Sequence, residues 1–205
     1  TQTREMKIIG VSQRLEFSKH GELRSQIDTN LLNFISECGY IPIPIPYYNL
    51  PKKNSLKKLT IWLNCIRPSG IVLSGGSDIG EYKLRDNSEK LLIKYSLRIG
   101  IPIFGICRGM QIIGSYFNVK LKTVKKHINI LHTIYSNKKK IKVNSFHKYS
   151  LKNCPKDFSI EFKSLDGNIE SIKSNNKKIY ACMWHPERYK RFKKTDIINF
   201  KKLFR

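Results

Sequence analysis

Short apolar runs alternate with amphipathic stretches through the first half of the chain, the pattern of βα units around a parallel sheet. Residues 7–11 read as a buried strand. Residues 22–38 read as a helix, with Leu23, Ile27, Leu31, Phe34, Ile35 and Cys38 on one face and Gly39 as its stop. Residues 41–46 carry proline at every second position, which predicts an extended segment at a sheet margin or in a loop. Leu56, Leu59, Trp62, Leu63 and Ile66 predict a helix over 55–66, and residues 70–73 a strand running into Ser74-Gly75-Gly76-Ser77-Asp78. Asp86, with Glu89 three positions on, has the form of a capping box opening a helix through Leu97. A buried strand over 101–106 is followed at once by a helix over 108–117. Beyond this the period shortens. Residues 119–182 read as brief β segments, with a turn at Asp166-Gly167-Asn168 and polar loops at 136–140 and 173–178, and a final helix over 195–204 is capped by Thr195 or Asp196.

Length adds that one domain suffices: 205 residues bury a full core without covalent staples, and no internal repeat or long linker divides them. Residues 6–205 are expected to form that domain, with Thr1–Glu5 as leader residues ahead of Met6. The five cysteines are odd in number, widely spaced and lack any CxxC pair, which argues against both a secreted disulfide scaffold and a zinc site and for the reducing cytoplasm. No apolar run is long enough to suggest a transmembrane span. The net charge of +24 raises a nucleic-acid partner as a question, but lysines outnumber arginines 29 to 10 and are dispersed, which favours a solvated basic surface. Such a field also favours an anionic small substrate.

Chemistry concentrates at three places. Gly105-Ile106-Cys107-Arg108-Gly109-Met110-Gln111 lies between a predicted strand and a predicted helix, the setting of a nucleophile elbow. There a thiol faces the positive end of a helix, which favours thiolate. Alone, Cys107 reads equally well as a small buried core residue. Trp184-His185-Pro186-Glu187 follows a strand over 179–183. In an extended chain, side chains two apart share a side, so Glu187 reaches one ring nitrogen of His185 while the other faces the thiol. Cys107 as nucleophile, His185 as base and Glu187 as orienter form a relay. Finally, the glycines after residue 73 turn backbone N–H groups toward a substrate, and with the amide of Arg108 the Gly76 amide makes an oxyanion hole.

In order and spacing, Gly75-Gly76, the Cys107 elbow, Val143-Asn144-Ser145-Phe146-His147 and His185-Pro186-Glu187 resemble the class I glutamine amidotransferases. Ser74 to Ile79, Tyr82, Arg85-Asp86 and Glu89 are similar to the stand-alone γ-glutamyl hydrolase branch. The resemblance implies a flavodoxin-like, doubly wound, mostly parallel α/β sheet and hydrolysis of a small-molecule γ-glutamyl amide, with no metal or organic cofactor. It also implies that Gly75, Gln111 and the backbone near Ser145, Phe146 and His147 hold the glutamyl group, His147 being either a pocket residue or a structural histidine. The run Met6 to Leu15, with Glu22-Leu23-Arg24, is similar to γ-glutamyl-CDP-amidate hydrolases of bacterial capsule phosphoramidate synthesis. Arg14 and Arg24 then suit the pyrophosphate of a nucleotide-linked substrate, or are simply solvated. Other readings are a γ-glutamyl-aminobutyrate hydrolase, a glutaminase subunit feeding ammonia to a synthetase, and a non-catalytic basic nucleic-acid-binding module.

Overall fold

A computed structural model describes residues 6–137 and 139–205, so the expected leader, residues 1–5, lies outside the described residues. In chain order the elements are β1 (Ile8–Val11), β2 (Arg14–Phe17), β3 (Leu23–Gln26), α1 (Thr29–Glu37), β4 (Ile41–Pro44), α2 (Lys52–Ile66), β5 (Gly70–Leu73), α3 (Lys83–Ile99), β6 (Ile103–Ile106) and α4 (Arg108–Tyr116). There follow β7 (Leu121–Thr123), β8 (Ile128–Tyr135), β9 (Lys140–Phe146), β10 (Tyr149–Leu151), β11 (Phe158–Ser164), β12 (Ile169–Ser174), β13 (Ile179–Cys182), a 3₁₀ turn at Pro186–Arg188, and α5 (Lys194–Phe204).

A nine-stranded sheet runs β4-β1-β5-β6-β13-β12-β11-β8-β9. The first five strands are parallel and the remainder continue antiparallel. Counted along the chain, the parallel five stand second, first, third, fourth, fifth, the flavodoxin-like doubly wound order. Alternation along β6 separates the two helical layers: Phe104 packs on Phe200 of α5, while its neighbour Gly105 abuts Gly109 and Ile113 of α4. Phe200 in turn meets Phe34 of α1 edge to face. The four residues of β5 and of β6 are all buried, which is why these strands read as unbroken apolar runs. The carboxyl ends of β1, β5, β6 and β13 therefore open on one edge of the sheet.

Three local expectations are corrected. The helix expected over 22–38 begins only at Thr29, because β2 and β3 pair as a hairpin and Asp28 caps the helix, its side chain accepting from the Asn30 N–H at 2.9 Å. Helical spacing from Leu23 to Cys38 concealed that boundary. Asp86 and Glu89 do not cap α3, which starts at Lys83; they face buried guanidinium groups instead. Neither Thr195 nor Asp196 caps α5, whose cap position is Lys193, and Asp196 accepts from the Trp184 indole N–H at 3.3 Å.

Candidate active site

At the end of β6 the chain turns into α4 through Cys107, whose backbone takes φ 51° and ψ −101°. Such a conformation costs on the order of 1–3 kcal/mol for a non-glycine residue and persists only where the surroundings enforce it. The enforcing contacts are backbone ones. The Cys107 N–H donates to Cys182 O of β13 at 2.7 Å, and its carbonyl accepts from Met110 and Gln111 in the first turn of α4. The helix sits so close to the sheet that a Cβ on Gly109 would lie 2.2 Å from the Leu73 carbonyl oxygen, which excludes any side chain there. Cys107, only 6% exposed, is thus held at the amino end of α4, where the helix field favours negative charge.

Beyond β13, His185 is buried and its Nδ1 lies 2.6 Å from Glu187 Oε1. The pair expected on extended chain forms instead across the start of the 3₁₀ turn, with His185 at its cap position and Glu187 within it. Burial pushes the imidazole pKa down, but the Glu187 charge and interaction with the Cys107 thiol overcome it and raise the pKa to about 9. Asn144 of β9 grips the His185 backbone from both sides, accepting from its N–H at 2.8 Å and donating to its carbonyl at 2.9 Å. The Tyr189 hydroxyl accepts from the Asn144 N–H at 3.1 Å. Neither Asn144 nor Tyr189 was among the residues expected at the site, although Asn144 lies within the Val143 to His147 segment.

The glycine loop after β5 closes the third side. A Cβ on Gly75 would come within 2.7 Å of His185 Cε1, so only glycine lets this loop lie against the ring. Beneath it is a buried ionic network. Arg85 Nη2 donates to the carbonyls of Ser74 and Gly75 at 2.9 and 3.0 Å, and its Nε to Glu89 at 2.9 Å. Glu89 also accepts from Ser12 Oγ and from the Arg108 guanidinium, which reaches Asp86 with its other arm. Burial pushes the Glu89 pKa up, yet Arg108 and Arg85 outweigh it and hold the carboxyl below its usual range. The Arg108 side chain is thereby spent on α3, while its backbone N–H stands in the first turn of α4, where such groups have no partner within the helix.

The remaining expected residues divide. Phe146 meets the His185 ring edge to face, centroids 5.7 Å apart, with the Arg188 guanidinium over its other side at 4.6 Å. Gln111 is buried in the first turns of α4 and donates to Tyr149 O at 3.3 Å. Ser145 donates its hydroxyl to His127 O at 2.7 Å. His147 turns away, its Nδ1 lying 3.0 Å from Tyr149 O and its Nε2 3.5 Å from Glu170. Arg14 packs over Gly76, and the burial and Arg188 nearby lower its pKa. Arg24 instead pairs with Glu22 on the exposed hairpin. Arg188 and Arg85 are the cations that act on Arg14.

Residues 22–203 match the sequence pattern of the family described as glutamine amidotransferase class-I. A γ-glutamyl-CDP-amidate hydrolase of Campylobacter jejuni is 36% identical over 124 aligned positions, an alignment that covers 58% of this chain and 62% of that protein's length. The glutamine-hydrolysing GMP synthase subunit of Methanobrevibacter smithii is 31% identical over 71% of this chain and 75% of its own. Among solved structures, a Thermoplasma acidophilum protein described as a candidate GMP synthase subunit superposes with a TM-score of 0.71 over 98% of this chain and 94% of its own. At 21% identity that likeness speaks for the fold alone. No described helix is long and apolar enough to cross a membrane. The match over 22–203 takes in the glycine loop, the Cys107 turn and the His185 segment together, and the chain belongs to the class-I glutamine amidotransferase family.

Proposed function

We propose that residues 6–205 act as one hydrolase domain that cleaves a γ-glutamyl amide through a glutamyl thioester on Cys107. The observation that carries this reading is the convergence of the Cys107 turn on an imidazole already held by Glu187. His185, its pKa raised to about 9, already holds the thiol proton as imidazolium, and the thiolate Sγ attacks the γ-carbonyl carbon. The N–H groups of Gly76 and Arg108 receive the oxyanion. As the carbon–nitrogen bond breaks, the imidazolium gives its proton to the departing nitrogen, leaving the thioester. His185 then deprotonates a water that attacks it, and glutamate leaves as the thiol is restored.

The leaving group we propose is the nitrogen of a cytidine diphosphoramidate, so that the substrate is γ-L-glutamyl-CDP-amidate. Similarity to the Campylobacter jejuni hydrolase supports this, as does the cationic rim of Arg14 and Arg188 beside Phe146. Offering the purified protein γ-glutamyl-CDP-amidate, γ-glutamylaminobutyrate and glutamine, and measuring glutamate release, tests it. Preference for the first is expected; release from none of the three overturns the reading. The Methanobrevibacter smithii relative favours a second reading, a glutaminase subunit feeding ammonia to a synthetase. Glutamine as the preferred substrate, hydrolysed faster when a synthetase is added, selects that one.

Glu187→Gln is expected to lower kcat by on the order of a thousandfold, because the amide presents the wrong partner to Nδ1 and no longer stabilises the imidazolium. The same change has a pH signature. His185 has its pKa raised from 6.5 to about 9 on folding, so its protonated form contributes stability fully below pH 6.5, and that contribution is lost as pH rises through about 9. Unfolding followed between those limits should show a stability decline in the parent that is largely missing in Glu187→Gln.

A further inference from the structure

Away from Cys107, on the antiparallel half of the sheet, four side chains from separate segments converge. His127 precedes β8, His132 lies within it, His147 follows β9, and Glu170 belongs to β12. Glu170 is fully buried, and His127 and His147 are nearly so. Glu170 Oε1 stands 3.4 Å from His127 Nδ1 and 3.5 Å from His147 Nε2, and Oε2 stands 3.6 Å from His132 Nε2. None of these five buried atoms has a hydrogen-bond partner among the described residues, and the ligand atoms of His127, His132 and Glu170 lie within 4.8 Å of one another. Five polar atoms orphaned on one point are costly unless something satisfies them together.

The spacing says what does. A tetrahedral cation with bonds of about 2.0–2.1 Å sets its ligand atoms roughly 3.3–3.4 Å apart, and the three imidazole contacts to Glu170, at 3.4, 3.5 and 3.6 Å, are near that spacing. The outer ring nitrogens of His127 and His147 are also arranged as metal-bound histidines require. His127 Nε2 lies 3.0 Å from Asp166 Oδ2, which accepts from Asn168 Nδ2 at 2.8 Å, and His147 Nδ1 lies 3.0 Å from Tyr149 O. These outer acceptors hold protons on the far nitrogens and aim lone pairs inward.

We propose that His127, His132, His147 and Glu170 form a closed, structural site for one zinc ion. Three imidazoles and a carboxylate suit zinc, and four protein ligands would leave no coordination position open, so the site binds β8, β9 and β12 together rather than doing chemistry. Its location links it to the reaction centre. Ser145 bonds to the His127 carbonyl, Phe146 contacts His185, and the Glu170 carbonyl accepts from Met183, two residues before His185.

The test uses the Cys107→Ala chain, so that the reactive thiol cannot supply a ligand. After treatment with a chelator it is titrated with zinc and, separately, with cobalt(II). The expected results are one zinc per chain retained through gel filtration, a raised melting temperature, and cobalt absorption of tetrahedral intensity. His132→Ala should abolish all three. Asp166→Asn should weaken zinc roughly tenfold to a hundredfold through the lost orientation of His127. Asp166 is 52% exposed, so that variant is expected to fold. No retained zinc with a featureless cobalt spectrum overturns the proposal, as does binding that both substitutions leave unchanged.

Discussion

Cys107→Ala should lose glutamate release by on the order of 10⁴-fold or more while unfolding within about 1 kcal/mol of the parent chain. The activity loss follows because alanine carries no thiol to attack the γ-carbonyl carbon. The near-unchanged stability follows from what holds the turn: the Cys107 N–H to Cys182 O bond, the carbonyl bonds from Met110 and Gln111, and the close approach of Gly109 to Leu73 are all backbone contacts that alanine retains. Steady-state glutamate release and urea unfolding check the two halves separately. Activity within tenfold of the parent contradicts the assignment of Cys107. A large loss of stability instead places the cysteine among the core residues, the competing reading of the elbow taken alone.

Glu89→Ala is expected to destabilise the fold by about 3–5 kcal/mol. Glu89 is fully buried between two arginines that are themselves buried, and its removal leaves the Arg85 guanidinium without its counter-charge and Arg108 with Asp86 alone. The loss should also reach the site, because Arg85 holds the carbonyls of Ser74 and Gly75 and so fixes the loop that lies against His185. Urea unfolding should show the midpoint shift, and residual activity should fall further than the unfolded fraction accounts for. A stability change below about 1 kcal/mol contradicts the view that this network anchors the loop.

The legibility of these features in the sequence follows from how local they are. Strands β5 and β6 are buried throughout, so their apolar runs are unmistakable, and the elbow and the His185-Glu187 pair each lie within a few consecutive residues. The hairpin of β2 and β3 escaped notice because Leu23 and Ile27 continue the helical spacing of Leu31 and Phe34, and only the turn at Gly21 and the Asp28 cap interrupt it. Asp86 and Glu89 carried the spacing of a capping box, and their real partner, Arg108, is nineteen positions beyond Glu89. Asn144 acts on a backbone forty-one positions away. The histidines around Glu170 show no ligand spacing, since strand pairing alone assembles them, and a cysteine-based search for metal sites passes over them.

Intact and peptide mass spectrometry of the protein, mixed with its γ-glutamyl amide and quenched in acid during turnover, tests the central claim most directly. An adduct of one glutamyl group is expected on the peptide that carries Cys107, absent from Cys107→Ala. Glutamate release that continues while the Cys107 peptide stays unmodified, or an adduct on another residue, contradicts it.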